Sequence, residues 1–465
     1  MRVSETAGFW IMEWSLKRSN LHFERALERL PLGVASDCGY WGDGRTVYVK
    51  RASGARLWDI DDNEYIDYRL GNGQAILGYA DPRVATAARA GIEVGGVFAL
   101  ATEFELAVAE RIAKLVPAAE LVRFSNSGAE ATVDALRLAR AFTGKDAIAV
   151  VGGGSHGTLG ASLWEVGRQD RPQGTNPSPG ALRVRDPFDP RIHSVPANDA
   201  NGFEELLRNH GDQIGAFLIE PIPVDCASMA ADAAYLGDVR ALCDRFEVVL
   251  IVDEVTTGFR VARGGAQEAL GVRADLCTFG SSTANGFPIA VLAGREEIMR
   301  RIGNGVVQGS TYAVHPVSLA AADKTLEIID ETDVLEQIAR YGWRMREGMS
   351  QVLSRRGIPH AFVGPPSMSG LCFGESPPCS GRDRNTVDDA FCADLVPRLH
   401  GSGILCEPGF CGPWFVSAAH NELCLAETLA KFEHAVDAAL ERLPDARRPA
   451  ASGARRSPHS FANPG

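Results

Sequence analysis

What most restricts the fold of this chain is a series of short, strongly apolar runs separated by helical stretches, from about residue 83 to residue 300. The runs are Leu121–Phe124, Ala147–Val151, Ala216–Ile219, Val248–Val252, Leu276–Phe279 and Ile289–Ala293, with helical patterns at Ala131–Phe142 and Tyr235–Phe246. A strand with one wet face alternates apolar and polar side chains. These runs do not alternate, so both faces must be covered. Helices between them supply the cover and also the crossovers that parallel strands require. The expectation is an α/β fold with a mostly parallel sheet.

The flanks read differently. Leu21–Leu30 has a helical pattern, Pro31–Gly33 a turn, and Val47–Val49, Ala55–Asp59 and Tyr65–Tyr68 form a small antiparallel segment. Residues 317–355 read as one long helix with a bend, followed by strand runs at Gly403–Cys406 and Phe415–Ser417 and a closing helix over 424–441. At 465 residues the chain is too long for one core. The expected division is an N-terminal segment of a smaller domain (1–82), a large domain (83–317), a C-terminal small domain (318–443) and a disordered tail rich in Ala, Arg, Ser and Pro (444–465).

The formal charge is −12 with a pI near 5.4, which argues against a nucleic-acid or anionic-membrane partner, since either needs a basic stripe. A local pocket on an acidic protein can still hold an anionic small molecule. Phe9–Met12 is apolar, but Glu13 follows and no small-residue cleavage site appears, so a secretory signal is not expected. No apolar run approaches membrane-spanning length. The ten cysteines are scattered without a C-x-x-C pair, which points to reduced thiols, a cytoplasmic setting and no metal site.

Three motifs carry chemistry. Asn126-Ser127-Gly128-Ala129-Glu130 follows a strand and opens a helix, where free amides and the helix dipole suit a phosphate. On that evidence alone Ser-x-x-Glu reads first as a capping box. Glu220 ends a buried strand, where open α/β sheets bind ligands, although a solvated strand-end Glu is the plainer reading. The sharpest is Val249–Arg260, in which Asp253 and Glu254 end an apolar strand. A carboxylate there can keep a ring nitrogen protonated. A paired-acid metal site competes, but no His or third acid lies at ligand spacing.

The ordered set Asn126–Ala131, His156-Gly157, Glu220-Pro221, Asp253–Arg260 and Asn285–Pro288 resembles the class III aminotransferases, with glutamate-1-semialdehyde aminomutase nearest in pattern. Asp59–Asp67, Leu77–Pro82, Gly309–Tyr312 and Phe415–His420 extend the likeness over roughly residues 20 to 442. The resemblance implies fold type I of the enzymes dependent on pyridoxal 5'-phosphate (PLP), with a small α+β domain built from both termini and a homodimer around a small-molecule site. It implies that Ser127, Gly128 and Ala129 hold the phosphate, with Thr311 reaching in from the partner subunit. Asp253 would face the ring nitrogen, Val255 a ring face, and Glu220 the substrate side.

Two departures matter. The family's Thr-Phe-Gly-Lys stretch, whose lysine forms the Schiff base, corresponds to Thr278-Phe279-Gly280-Ser281, and a serine cannot form an imine. Ser155 stands where an aromatic residue would stack on the ring, a contact worth on the order of a kilocalorie per mole. The expectation is therefore PLP or its amine form, pyridoxamine 5'-phosphate (PMP), held without a covalent link, with Ser281 or His156 moving protons. The alternatives are an inactive or regulatory relative, and a PLP-independent enzyme reusing the pocket.

Overall fold

The computed structural model describes residues 14–152, 156, 192–224, 228, 230–374, 389–407 and 412–442. Ser155 and the segment 444–465 lie outside them. Near the N-terminus, β1 (Val49–Ser53), β2 (Arg56–Asp59) and β3 (Glu64–Asp67) form an antiparallel meander. The central strands follow: β4 (Leu121–Ser125), β5 (Ala147–Val151), β6 (Ile192–Val195), β7 (Ile214–Ile219), β8 (Val249–Glu254), β9 (Leu276–Phe279) and β10 (Ala290–Gly294). They form one seven-stranded sheet in the order β4-β10-β9-β8-β7-β5-β6. The pairs from β6 through β9 are parallel, while β10 runs antiparallel to β9 and β4. Late in the chain β11 (His360–Val363) and β12 (Met368–Phe373) precede β13 (Ile404–Leu405) and β14 (Pro413–Phe415). Strands β11, β12 and β14 make a third sheet, and β13 joins β3 in parallel, so the two ends of the chain share a sheet.

The lack of alternation in the central runs has the cause expected of it. Every residue of β5, β7, β8, β9 and β10 is buried. Successive side chains still point to opposite faces, and they divide between two cores. Ile148, Val150, Leu218, Val249 and Ile251 meet Ala131, Ala135 and Leu138 of the helix Gly128–Thr143. Ala147, Ala149, Phe217, Ile219, Leu250 and Val252 meet Phe203, Leu236 and Val239 on the other face. The carboxyl ends of β5, β7, β8 and β9 thereby open together on one edge.

Several local readings shift; the first strand runs Val49–Ser53 rather than Val47–Val49, and Gly403–Cys406 shortens to Ile404–Leu405. The leading helix spans Lys17–Leu27, earlier than Leu21–Leu30, because the Asp61 carboxylate caps it from the first hairpin. Its oxygens accept from the amides of Arg18 (2.6 Å) and Ser19 (2.7 Å) and from the Ser19 hydroxyl (2.6 Å). The long bent helix is two helices, Pro316–Glu331 and Val334–Arg355. They part because Thr332 is extended (φ −128°, ψ 171°) and its hydroxyl takes the Ile328 carbonyl at 2.6 Å. The last strand runs Pro413–Phe415 rather than through Ser417. No helix among the described residues is long and apolar enough to cross a membrane.

Arg260 ties the loop after β8 to the late strands. Its side chain is 1% exposed and meets no carboxylate among the described residues; it donates to the backbone carbonyls of Ser367 (3.3 Å), Val416 (2.9 Å) and Gly73. Its guanidinium lies over the Phe415 ring, 5.1 Å from the centroid. Burial pushes its pKa down to about 9. Arg260→Leu removes a donor from three buried carbonyls, of which Ser367 keeps the Val416 amide and Gly73 the Ser282 hydroxyl, and the expected loss is about 1–3 kcal/mol in urea unfolding. A variant as stable as the parent removes Arg260 from this role.

Candidate active site

Asp253 stands at the end of β8 with 4% exposure, and each of its oxygens is engaged. Oδ1 accepts from the Val255 amide (3.0 Å) and the Thr278 hydroxyl (3.1 Å). Oδ2 meets Nδ1 of His156 at 2.8 Å. Strand register explains Thr278, because it lies directly opposite Asp253 in the parallel pair β8–β9. His156 comes from the segment after β5, on the other side of Asp253 in the sheet. It is 6% exposed, and its Nε2 has no hydrogen-bond partner among the described residues. Burial pushes the imidazole down, but the Asp253 hydrogen bond and the charges of Asp253 and Glu220 override it and hold its pKa above the ordinary value. Glu220, just past β7, is 9% exposed.

The second acid of the pair does other work. Glu254 points the opposite way along the strand and is fully buried. Its carboxylate accepts from the amides of Ala266 (2.8 Å) and Gln267 (2.7 Å), opening the short helix Ala266–Leu270, and from the Thr257 hydroxyl. Burial, its largest influence, still raises its pKa. As consecutive residues of one strand, Asp253 and Glu254 face opposite sides and do not converge on a common point.

Val255 gathers the remaining pieces. A Cβ built on Gly128 would come within 2.6 Å of both Val255 methyls, and one on Gly280 within 3.0 Å. The turn at Ser127–Gly128 and the turn at Gly280–Ser281 therefore both close on this one side chain. Ser127 caps the helix Gly128–Thr143, its hydroxyl accepting from the Glu130 amide at 3.3 Å. Glu130 reaches back to the Asn126 amide at 3.0 Å. The Ser127 cap expected of the motif is thus present, while Glu130 closes on the Asn126 amide rather than on Ser127 as a capping box requires. The cap leaves the amides of Gly128 and Ala129, in the first turn, without an intrahelical acceptor. Ser281 opens a short 3-10 turn after β9 and is partly exposed. Thr311 lies on the surface, one residue beyond Ser310, whose hydroxyl accepts from the side-chain Nδ2 of Asn126. The structure thus joins Asp253, His156, Val255, Gly128 and the Ser281 turn, and leaves Thr311 outside.

Residues 41–443 match the family description Aminotransferase class-III. This chain belongs to the class III aminotransferase family. The glutamate-1-semialdehyde 2,1-aminomutase of Methanothrix thermoacetophila is 35% identical over 433 residues, covering 90% of this chain and 96% of that protein. Its counterpart in Methanothermobacter thermautotrophicus is 36% identical over 419 residues, covering 88% and 97%. A solved transaminase with PLP bound shares the fold with a TM-score of 0.83 and 28% identity, over 92% of this chain and 99% of that one.

Two features of this family member escaped the reading of its sequence. Thr278 served only as a landmark, although alignment of strand ends in a parallel sheet brings it to Asp253. The His156–Asp253 pair spans 97 residues and has no local signal. The pair carries a pH dependence. A raised histidine pKa contributes stability that is complete below the ordinary value of 6.5 and is lost as pH rises through the folded-state value. The stability gap between the parent and Asp253→Asn is therefore expected to be widest near pH 6 and to narrow upward. Urea midpoints across pH 5.5–8.5 measure it, and a gap that widens with pH contradicts the pairing.

Proposed function

We propose that this chain is an enzyme that binds PLP or PMP without a covalent link and acts on an amino or keto small molecule by lysine-free chemistry. One observation carries the reading: a buried carboxylate, Asp253, and a helix N-terminus at Gly128 are joined through Val255. A protonated ring nitrogen and a phosphate are the two ends of one ligand, and these two features match them. When bound, such a cofactor supplies an electron-withdrawing ring that weakens bonds next to a substrate nitrogen.

In this assignment the amides of Gly128 and Ala129, with the Ser127 hydroxyl, take the phosphate. Asp253 takes the ring nitrogen, Val255 supports one ring face, and Glu220 lines the substrate side. Ser281 occupies the place of the family's Schiff-base lysine. The other candidate amines are engaged elsewhere. Lys50, Lys114, Lys324 and Lys431 form ion pairs with Asp62, Asp330, Glu327 and Glu427, and Lys145 donates to the Phe246 and Glu247 carbonyls. Lys17 sits in the leading helix. An unassisted hydroxyl is a weak base at neutral pH, so Ser281 is assigned the passing of a proton rather than its removal from a carbon acid.

The same engagement of the lysines favours a second reading, an inactive or regulatory relative that keeps the binding site. A homodimer fits both readings. Val307 (81% exposed) and Tyr312 (64% exposed) flank Thr311, and a second copy covering them would bring Thr311 to the neighbouring phosphate turn.

Titration of the purified protein with PLP and PMP, followed by absorbance and equilibrium dialysis, is expected to show saturable binding. Borohydride treatment of the PLP-loaded parent is expected to leave its intact mass unchanged, whereas Ser281→Lys should gain one reduced adduct. Absence of binding at saturating cofactor overturns the proposal, and a lysine adduct on the parent overturns its lysine-free part. Turnover of amino or keto compounds by the loaded parent separates the enzyme from the inactive relative.

A further inference from the structure

The short turn that carries Ser281 is fixed at both ends. At its start Gly280 packs on Val255, where an added Cβ would lie 3.0 Å from a methyl. At its end stands Asn285, whose backbone is left-handed (φ 48°, ψ 39°). Glycine takes that conformation without strain, so a turn of this shape does not by itself need asparagine. The side chain shows what asparagine adds. Its Oδ1 accepts from the Leu77 amide at 2.9 Å, and its Nδ2 donates to the Gly78 carbonyl at 2.9 Å. The amide group pairs with one N–H and one C=O, as a neighbouring strand would, and it does so with a segment 207 and 208 residues earlier in the chain. That segment is held on its other sides. Tyr79 and Gly54 exchange both backbone hydrogen bonds (2.7 and 2.8 Å), and the Ile76 carbonyl accepts from the Ala418 amide at 2.8 Å. Gly78 packs so closely that an added Cβ would lie 2.5 Å from the Ala419 methyl. Within the turn, Ser282 reaches the Gly73 carbonyl only at 3.4 Å, and the Thr283 hydroxyl has no partner among the described residues. The two short side-chain bonds that anchor the turn are those of Asn285.

We propose that Asn285 is a positioning residue: by clasping Leu77 and Gly78 it sets where the side chain at position 281 stands relative to the ring of a bound cofactor. The inference rests on the cofactor reading above and deepens it. A 3-10 turn of four residues has few bonds of its own, and here the Thr283 amide reaches the Gly280 carbonyl at 2.8 Å. Such a turn takes its place from its anchors. Contact with Val255 fixes the near end to the loop after β8, and Asn285 ties the far end to the N-terminal segment. A hydroxyl that passes a proton, or an amine that attacks an aldehyde, is sensitive to misplacement on the scale of an ångström. The phosphate turn and Asp253 lie on other elements and keep their places without the clasp. Asn285 therefore bears on reaction at position 281 and not on affinity for the cofactor.

Asn285→Gly keeps the left-handed backbone and removes the clasp, so it is compared in two backgrounds. Against the parent, its affinity for PMP by equilibrium dialysis is expected to stay within about twofold. In the second background PLP is added to Ser281→Lys and to Ser281→Lys/Asn285→Gly. Samples are quenched with borohydride at timed intervals, and intact mass gives the fraction carrying the reduced lysine adduct. The adduct is expected to form about tenfold more slowly without Asn285. A purely structural role would weaken PMP binding and slow the adduct alike. That result, or an adduct rate unchanged by Asn285→Gly, overturns the positioning role and leaves the cofactor reading intact. So does a Ser281→Lys variant that binds PLP and gains no adduct, since position 281 would not then face the ring. A parent that binds neither PMP nor PLP overturns the cofactor reading and this inference together. Asn285→Asp, which is isosteric, sets a carboxylate oxygen against the Gly78 carbonyl and carries the comparison if Asn285→Gly does not fold.

Discussion

The site hangs on a charge held inside the protein. Asp253 stands at the mouth of a strand whose six residues are all buried, and a carboxylate there is tolerated only when its oxygens are satisfied. The donors come from its own loop, from the next strand and from a segment beyond the strand after that. Without Thr278 and His156 the carboxylate would be a buried charge with a single amide for company. The sheet order β9-β8-β7-β5 is therefore a requirement of the chemistry as well as of packing. Strand alternation settles the fate of the neighbouring acid in the same stroke. Glu254 faces away, caps the helix Ala266–Leu270 and braces the loop that returns to the site.

Close backbone approach is the second constraint. Val255 occupies a slot that exists because Gly128 and Gly280 lack side chains. Any larger residue at position 128 would separate the helix N-terminus from the β8 loop, and the phosphate-type turn would lose its fixed relation to Asp253. A few residues on, Arg260 fastens that loop to the turn at Gly73 and to Ser367 and Val416, which flank β12 and β14. The Gly73 carbonyl also accepts from Ser282 at 3.4 Å, so the loop after β8 and the turn carrying Ser281 share an anchor. The large sheet and the late strands are thus connected through backbone carbonyls, which a guanidinium can bridge in several directions at once.

Much of the sheet was legible because its runs were too apolar to be half-wet, and Ala147–Val151 and Leu276–Phe279 match the observed strands residue for residue. What escaped was non-local. The first helix begins at Lys17 because Asp61 reaches back to its amides, an interaction that no window around residue 20 contains. The break at Thr332 turned on one hydroxyl preferring a carbonyl of the preceding turn. At the site, Asp253 stood out because two acids after an apolar run are conspicuous. His156 was visible only as a histidine beside a glycine, and its meaning lay in a partner 97 residues away. Ser155, where the missing aromatic was noted, falls outside the described residues.

A covalent tether and a set of non-covalent contacts are different ways of keeping a cofactor in place. A tether supplies a high local concentration of the ring and tolerates modest contacts elsewhere. A pocket with serine at position 281 has only its phosphate turn, its ring-face contact and its ring-nitrogen partner to hold the same molecule. In such a pocket the precision of Asp253 matters more than in a lysine-bearing one, because each lost hydrogen bond appears directly in occupancy. On the proposed reading, a cradle around that carboxylate beside a turn with serine at position 281 is what a site needs if it is to hold its cofactor without a tether.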